Sequence, residues 1–303
     1  MLIDAGSRKL KMLKPAWYQA IGKYAYSNLN KSLWQIIDTF VPYCVLWALM
    51  LYTVRQGYPY WVTLALALAP GGILVRVFIL FHDCCHGSFF ASRRANTILG
   101  YVSGILTFTP YEDWRYAHNI HHATQGDVDR QGVGDIWTMT KEEHLAAPRR
   151  KRLAYRIYRN PFVLFGRVRH CCFYFSSDFL AKAWERKSAA ACFLPTWRSW
   201  PSSRWRVQRL VFNPVRVALE GSSYFKLPKI LQWFSGNIGL HHVHHARPTI
   251  PNYNLQQCHD DIPAFHAVEP LTIRTSLKSL RLSLYDEEHK KLISFRALKS
   301  ASR

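Results

Sequence analysis

The sequence predicts an all-α membrane protein: a helical bundle topped by a cytoplasmic helical cap that carries clustered histidines. Three observations predict it. Two long apolar runs lie close together, nine of 14 histidines fall in three short clusters, and 49% hydrophobic residues accompany a formal charge of +21. That composition excludes a disordered polycation, which would be poor in aromatics and aliphatics. Seven cysteines in 303 residues make no disulfide scaffold, and the adjacent Cys84 and Cys85 suit a reducing compartment. A basic excess implies an anionic partner, either nucleic acid or an anionic membrane face. No zinc finger, helix-turn-helix pattern or RNP-type strand accompanies the charge, which speaks against nucleic acid.

In chain order, residues 1–33 read as a cytoplasmic N-terminus. Arg8, Lys9, Lys11 and Lys14 make it basic, and no secretory leader follows. Residues 34–81 hold two spans. The run 39–54 has Asp38 at its entrance and Pro42 inside, and the run 61–81 contains a single charge, Arg76. As a helix the second run is about 31 Å long, enough for the hydrocarbon core. The link 55–60 is a tight turn with interfacial aromatics. Basic residues before the first run and Arg93 and Arg94 after the second put both ends on the cytoplasmic side. The stretch 97–110 is too short to span and predicts an interfacial or re-entrant segment. Near the C-terminus Ile273, Leu277, Leu280 and Leu284 interleave with Arg274, Lys278 and Arg281, predicting an amphipathic basic helix that docks on lipid or on the protein body.

Residues 82–165 carry the first two histidine clusters, HDCCH (82–86) and HNIHH (118–122), and residues 217–303 carry the third, HHVHH (241–245). On helices, His82 and His86 share a face at i and i+4. His118, His121 and His122 make an i, i+3, i+4 set, which His241, His244 and His245 repeat. Side chains that project together at such offsets suit metal ligation. Neutral imidazole fits iron, zinc, copper and nickel alike. Eight histidines exceed the three or four of one zinc site and point to two metals.

These residues resemble the integral-membrane fatty acid desaturases, especially the bacterial acyl-lipid type acting at the Δ12 or ω6 position. The likeness rests on HDCCH (82–86), WRYAHNIHH with GDVDR (114–130) and GNIGLHHVHHARPTIPNYNLQ (236–256). It covers residues 30–166 and 215–293. The resemblance implies a non-haem di-iron centre at the cytoplasmic face of an integral membrane protein, in a bacterial inner membrane. Electrons from a ferredoxin-like or cytochrome-type donor would activate O2 there, and membrane lipid acyl chains would be the substrate. Carried over position by position, the metal ligands would be His82, His86, His118, His121, His122, His241, His244 and His245. His242 lies outside the spacing and reads as supporting or incidental. Asp83, Asp127 and Asp129 are placed to orient imidazoles through their free nitrogens. Asn237, four residues before His241, either faces the site or caps a helix. Removing hydrogen from an unactivated methylene needs an oxidant that protein side chains cannot supply, so a metal centre is consistent with the chemistry.

The middle of the chain departs from this pattern. Residues 166–216 hold ten Lys and Arg against two acids, with Trp184, Trp197, Trp200 and Trp205 and no long apolar run. Desaturases of this type would have two further spans here and then a segment such as QHQFE that supplies another histidine. His170 is the only histidine in the segment and has no such context. Translation out of frame explains the break better than a shortened variant with a basic loop on the head groups, because family-like sequence resumes at Val217. Either way the expected activity is low. Competing readings of the clusters are a histidine-box lipid hydroxylase or alkane monooxygenase, and a non-catalytic membrane metal-binding protein.

Overall fold

A computed structural model of the chain describes residues 15–124, 137–163, 215, 217–289 and 291–300. The segment 166–214, His170, Asp127 and Asp129 lie outside the described residues. The chain opens with α1 (Ala16–Ala20), followed by two helices that are long and apolar enough to cross a membrane, α2 (Leu29–Arg55) and α3 (Tyr60–His86). Asn28 starts α2, its side chain accepting from Lys31 N at 3.1 Å. Only 11% of the most apolar window of α2 is buried, unlike the mostly buried core helix of a soluble protein. Val41, Val45 and Leu49 on α2 and Leu64, Leu68 and Val75 on α3 stand exposed, as lipid-facing residues do.

Helix α3 continues past the predicted span to include the first histidine cluster. Gly87 then takes φ 67°, and the Gly87 and Ser88 amides close on Cys84 O and Asp83 O. Only glycine adopts that left-handed position without strain, so the helix stops directly after His86. The chain returns along α4 (Arg93–Leu106), capped by Ser92. Its packed side is small: Gly100 lies under Tyr111, where an added Cβ would meet ring carbons at 2.2 and 2.6 Å. Gly100→Val is expected to destabilise the fold by about 1–3 kcal/mol through overpacking. Thermal melts of the detergent-solubilised protein check this, and an unchanged Tm contradicts the close approach. The opposite side of α4 presents Ile98, Tyr101, Val102 and Ile105 outward.

The second cluster sits on α5 (Tyr111–Thr124). A strand β1 (Met139–Thr140) and helices α6 (Lys141–Ala146) and α7 (Arg149–Tyr158) follow. The third cluster lies beyond β2 (Tyr224–Phe225) and α8 (Lys229–Phe234), on α9 (His241–Ala246). The remaining elements are α10 (Asn252–Asp261), α11 (Pro263–His266), β3 (Pro270–Leu271), α12 (Ile273–Ser279), β4 (Leu282–Asp286), β5 (Lys291–Ser294) and α13 (Phe295–Ser300). The described residues are dominantly helical, with two small sheets: β1-β4-β5, and β2 parallel to β3.

The C-terminal amphipathic helix is corrected. It ends at Ser279, and Leu282–Asp286 runs as a strand between β1 and β5. Leu284, expected on the helix face, is fully buried with Met139, Ala147 and Tyr155. The spacing of four and three fitted a helix, but partner strands distant in sequence won. Helix propensity is a weak local preference that tertiary pairing overrides.

Arg76, the lone charge of the second run, is almost fully buried. Its guanidinium reaches both Asp38 oxygens at 3.1 and 3.2 Å and Thr39 Oγ1 at 2.9 Å, and it donates to the Trp233 carbonyl. It also stacks 4.4 Å from the Trp233 ring, whose Nε1 donates to Asp38 at 3.1 Å. An ion pair between α2 and α3 thereby holds α8, the helix that leads into the third cluster. A charge this deep between apolar helices is tolerated because every strong donor has a partner.

Candidate metal centre

The three clusters converge. Two come from helix termini, the end of α3 and the end of α5, and the third from the short helix α9. His82, His86, His118, His122 and His244 each offer a ring nitrogen, all within 4.8 Å of one another. Beside them His241 Nε2 and His245 Nε2 lie 3.1 Å apart, and the His121 ring is centred 5.5 Å from His245. The two groups meet at His122, whose ring is 4.4 Å from that of His245 and whose Nε2 is 3.2 Å from His244 Nε2.

The two HxxHH sets divide alike. In each HxxHH set the i, i+4 pair faces one group and the i+3 residue faces the other. His118 and His122 thus join His82 and His86, while His121 turns towards His241 and His245. His244 crosses in the opposite sense. All eight sequence-predicted residues are brought together, five in one group and three in the other among the described residues.

The residues fit a metal. His86 Nε2 and His244 Nδ1 are buried with no hydrogen-bond partner, an arrangement that costs free energy unless something outside the protein binds them. Burial, followed by repulsion from neighbouring histidines, holds five of these imidazoles in the neutral form that ligates. It pushes His118, His244 and His245 far down, His122 down to about 3 and His241 down to about 4. In an unfolded chain these imidazoles titrate near 6.5. The unfolded state therefore binds more protons below that pH, so the contribution is complete above it and is lost as pH falls from about 6.5 towards 3. Thermal melts of the metal-free protein are expected to be flat above pH 7 and to fall steadily below about pH 6; a Tm unchanged down to pH 4 contradicts the neutral cluster.

Asp83 orients the first group. Its Oδ1 lies 3.2 Å from His82 Nδ1, and its Oδ2 accepts from Asn252 N at 2.7 Å and Asn252 Nδ2 at 2.9 Å. Asn252 in turn exchanges two hydrogen bonds with Gln35 of α2, at 2.6 and 3.1 Å. A carboxylate only accepts, so His82 Nδ1 carries the proton and its Nε2 keeps the free lone pair for ligation. Trp114 stacks on His118 with centroids 4.2 Å apart and fixes that ring from behind.

The sequence did not mark Gln35 or Asn252, since nothing local distinguishes a buried amide strut from a loop amide. Trp114, four residues before His118, carried a detectable signal. Asn237 stands at the N-cap position of the turn Ile238–Leu240 without a side-chain cap bond, and its Nδ2 donates to Asn252 O at 3.1 Å. His242 points into the core instead, bonding His259 Nδ1 at 3.2 Å beside Tyr224 and Phe265.

A cavity of about 740 Å³ opens beside the cluster, with Cys84, Cys85, His86 and His122 at one side and Arg93 and Arg115 at another. It gives small molecules a route to the five-histidine group.

The fatty acid desaturase family profile matches residues 56–212 and 212–275. A fatty acid desaturase of Bacillus subtilis is 39% identical over 92% of this chain and 90% of its own length. An sn-1 oleoyl-lipid 12-desaturase of Synechocystis sp. is 24% identical over 63% of this chain and 66% of its own. A chloroplastic omega-6 fatty acid desaturase of Glycine max is 24% identical over 67% of this chain and 57% of its own. With three histidine clusters gathered beside the end of an apolar helix and a family match over most of its length, the chain belongs to the fatty acid desaturases, a family of oxidoreductases.

Proposed function

We propose that the chain carries a two-iron desaturase centre in a bacterial inner membrane, with the histidines on the cytoplasmic side. The observation that carries this reading is the gathering of eight histidines into adjoining groups of five and three. Two iron ions held there would, with O2 and two electrons from a ferredoxin- or cytochrome-type donor, supply the oxidising power to turn –CH2–CH2– into –CH=CH–, with two protons taken up and two waters released. His82, His86, His118, His122 and His244 would hold one ion, and His121, His241 and His245 the other. Asp83 fixes the His82 tautomer, Trp114 fixes the His118 ring, and the Arg76–Asp38 pair holds the approach to the third cluster. Membrane lipid acyl chains are the substrate, and the names of the Synechocystis and Glycine relatives support the Δ12 or ω6 position.

The second group offers three histidines among the described residues, one short of a well-filled site. The family match runs through the basic segment 166–216 in two stretches that meet at residue 212. The Bacillus match runs over 322 positions, more than the 303 residues of this chain, so this chain is gapped against it. From the basic, span-free composition of 166–216 we read a middle segment translated out of frame, with loss of two spans and of a histidine, and hence low turnover. Resequencing the gene across residues 166–216 tests the frame directly.

Expression of this chain beside a chimera bearing the Bacillus middle segment, followed by gas chromatography of host lipids, tests the function. The chimera is expected to yield new double bonds and the chain itself few or none. Hydroxy acids instead would favour a hydroxylase, and no product from either would contradict the desaturase reading.

A further inference from the structure

Helix α7 is built with two unlike faces. Inward, Tyr155 donates its hydroxyl to Ser283 O and accepts from Met139 N at 3.0 Å, while Arg159 donates to Leu282 O at 2.8 Å. Those bonds fasten α7 to the β1-β4-β5 sheet. Outward, Leu153 and Ile157 lie one turn apart at 61% and 54% exposure, and Phe162, just past the helix, is 90% exposed. Arg149, Arg150 and Arg156 flank this apolar strip and are themselves exposed. Nothing in the sheet needs that face, and three large apolar side chains held in water are costly.

We propose that α7 anchors the sheet to the surface of an anionic lipid leaflet. Leu153, Ile157 and Phe162 enter the boundary between head groups and acyl chains, and the three arginines bind lipid phosphates. An apolar centre with guanidinium rims matches the depth order of a bilayer surface, acyl chains inside and phosphates outside. The leaflet is within reach because α2 and α3 are long and apolar enough to insert. The following segment 166–216, with ten Lys and Arg against two acids, carries the same sign as the rims and so lacks their charge complement. The inference needs only membrane insertion, so a failed desaturase assay leaves it standing.

The test places the photocrosslinker p-benzoylphenylalanine at position 157, or at the exposed position 288 in the β4–β5 turn as a control. The full chain is reconstituted in nanodiscs of phosphatidylglycerol or of phosphatidylcholine. Irradiation is expected to give lipid adducts at position 157 in phosphatidylglycerol, several-fold fewer in phosphatidylcholine, and none at 288. The double variant Arg149→Glu, Arg150→Glu, which spares Arg156 on the Phe295 ring, should keep its Tm and lose adduct yield by about tenfold or more, since each basic residue near an anionic surface is worth about fivefold in partitioning. Equal yields in the two lipids, crosslinks into this chain's own 166–216 segment, or crosslinks to another protein would each overturn the proposal.

Discussion

Asp83→Asn is expected to leave the protein folded and to strip metal from the five-histidine group. The amide oxygen can still accept from Asn252, but its NH2 then faces His82 Nδ1. That nitrogen must become an acceptor, the ring proton moves to Nε2, and the lone pair that would ligate is lost. Outer hydrogen bonds of this kind are worth about 10–100-fold in metal affinity. Asp83→Ala should do more: it orphans the backbone and side-chain donors of Asn252 in a site where Asp83 is about 1% exposed. Each orphaned buried donor costs about 1–3 kcal/mol, so the alanine variant is expected to melt well below the asparagine variant. Iron titration and thermal melts of both variants separate the two effects. Equal iron affinity in Asp83→Asn and the parent contradicts the tautomer argument.

Arg76→Leu is expected to destabilise by about 3–5 kcal/mol, the usual cost of leaving one partner of a buried ion pair alone. Asp38, 18% exposed at its side chain, would lose its charge partner, and the Trp233 carbonyl and Thr39 hydroxyl would lose a donor. Because Arg76 also holds α8, metal should be lost first from the group built on His241 and His245. The double variant Arg76→Leu, Asp38→Leu should recover much of the loss, since two apolar residues leave no uncompensated charge. Melts of the single and double variants measure the coupling. Additive losses would mean that the pair does not act as a unit.

The spans and the histidine clusters were legible because their signals are local: runs of apolar residues, and offsets of three and four on a helix. The division of the clusters was not. Spacing puts His118, His121 and His122 on one side of α5, but only the approach of α3 and α9 decides that His121 turns away from the other two. The Asp83–Asn252–Gln35 strut joins residues up to 217 positions apart, and an amide that will be buried looks in sequence like one that will not. Arg76 read as an isolated charge in a span, while its partners Asp38 and Trp233 belong to two other helices. Leu284 shows the reverse error, where a convincing helical repeat was overruled by a strand pairing with Met139–Thr140 that no local pattern announced.

The central claim is that these eight histidines bind two irons, more weakly in the three-histidine group. Iron analysis of the anaerobically reconstituted protein tests it most directly, beside the variants His241→Ala, His245→Ala and His86→Ala, His118→Ala. The parent is expected to bind two irons per chain, the second more weakly. The first double variant should keep one tight iron, and the second should lose the tight iron. A single iron in the parent, or an equal loss from both groups in either double variant, would contradict two adjoining sites.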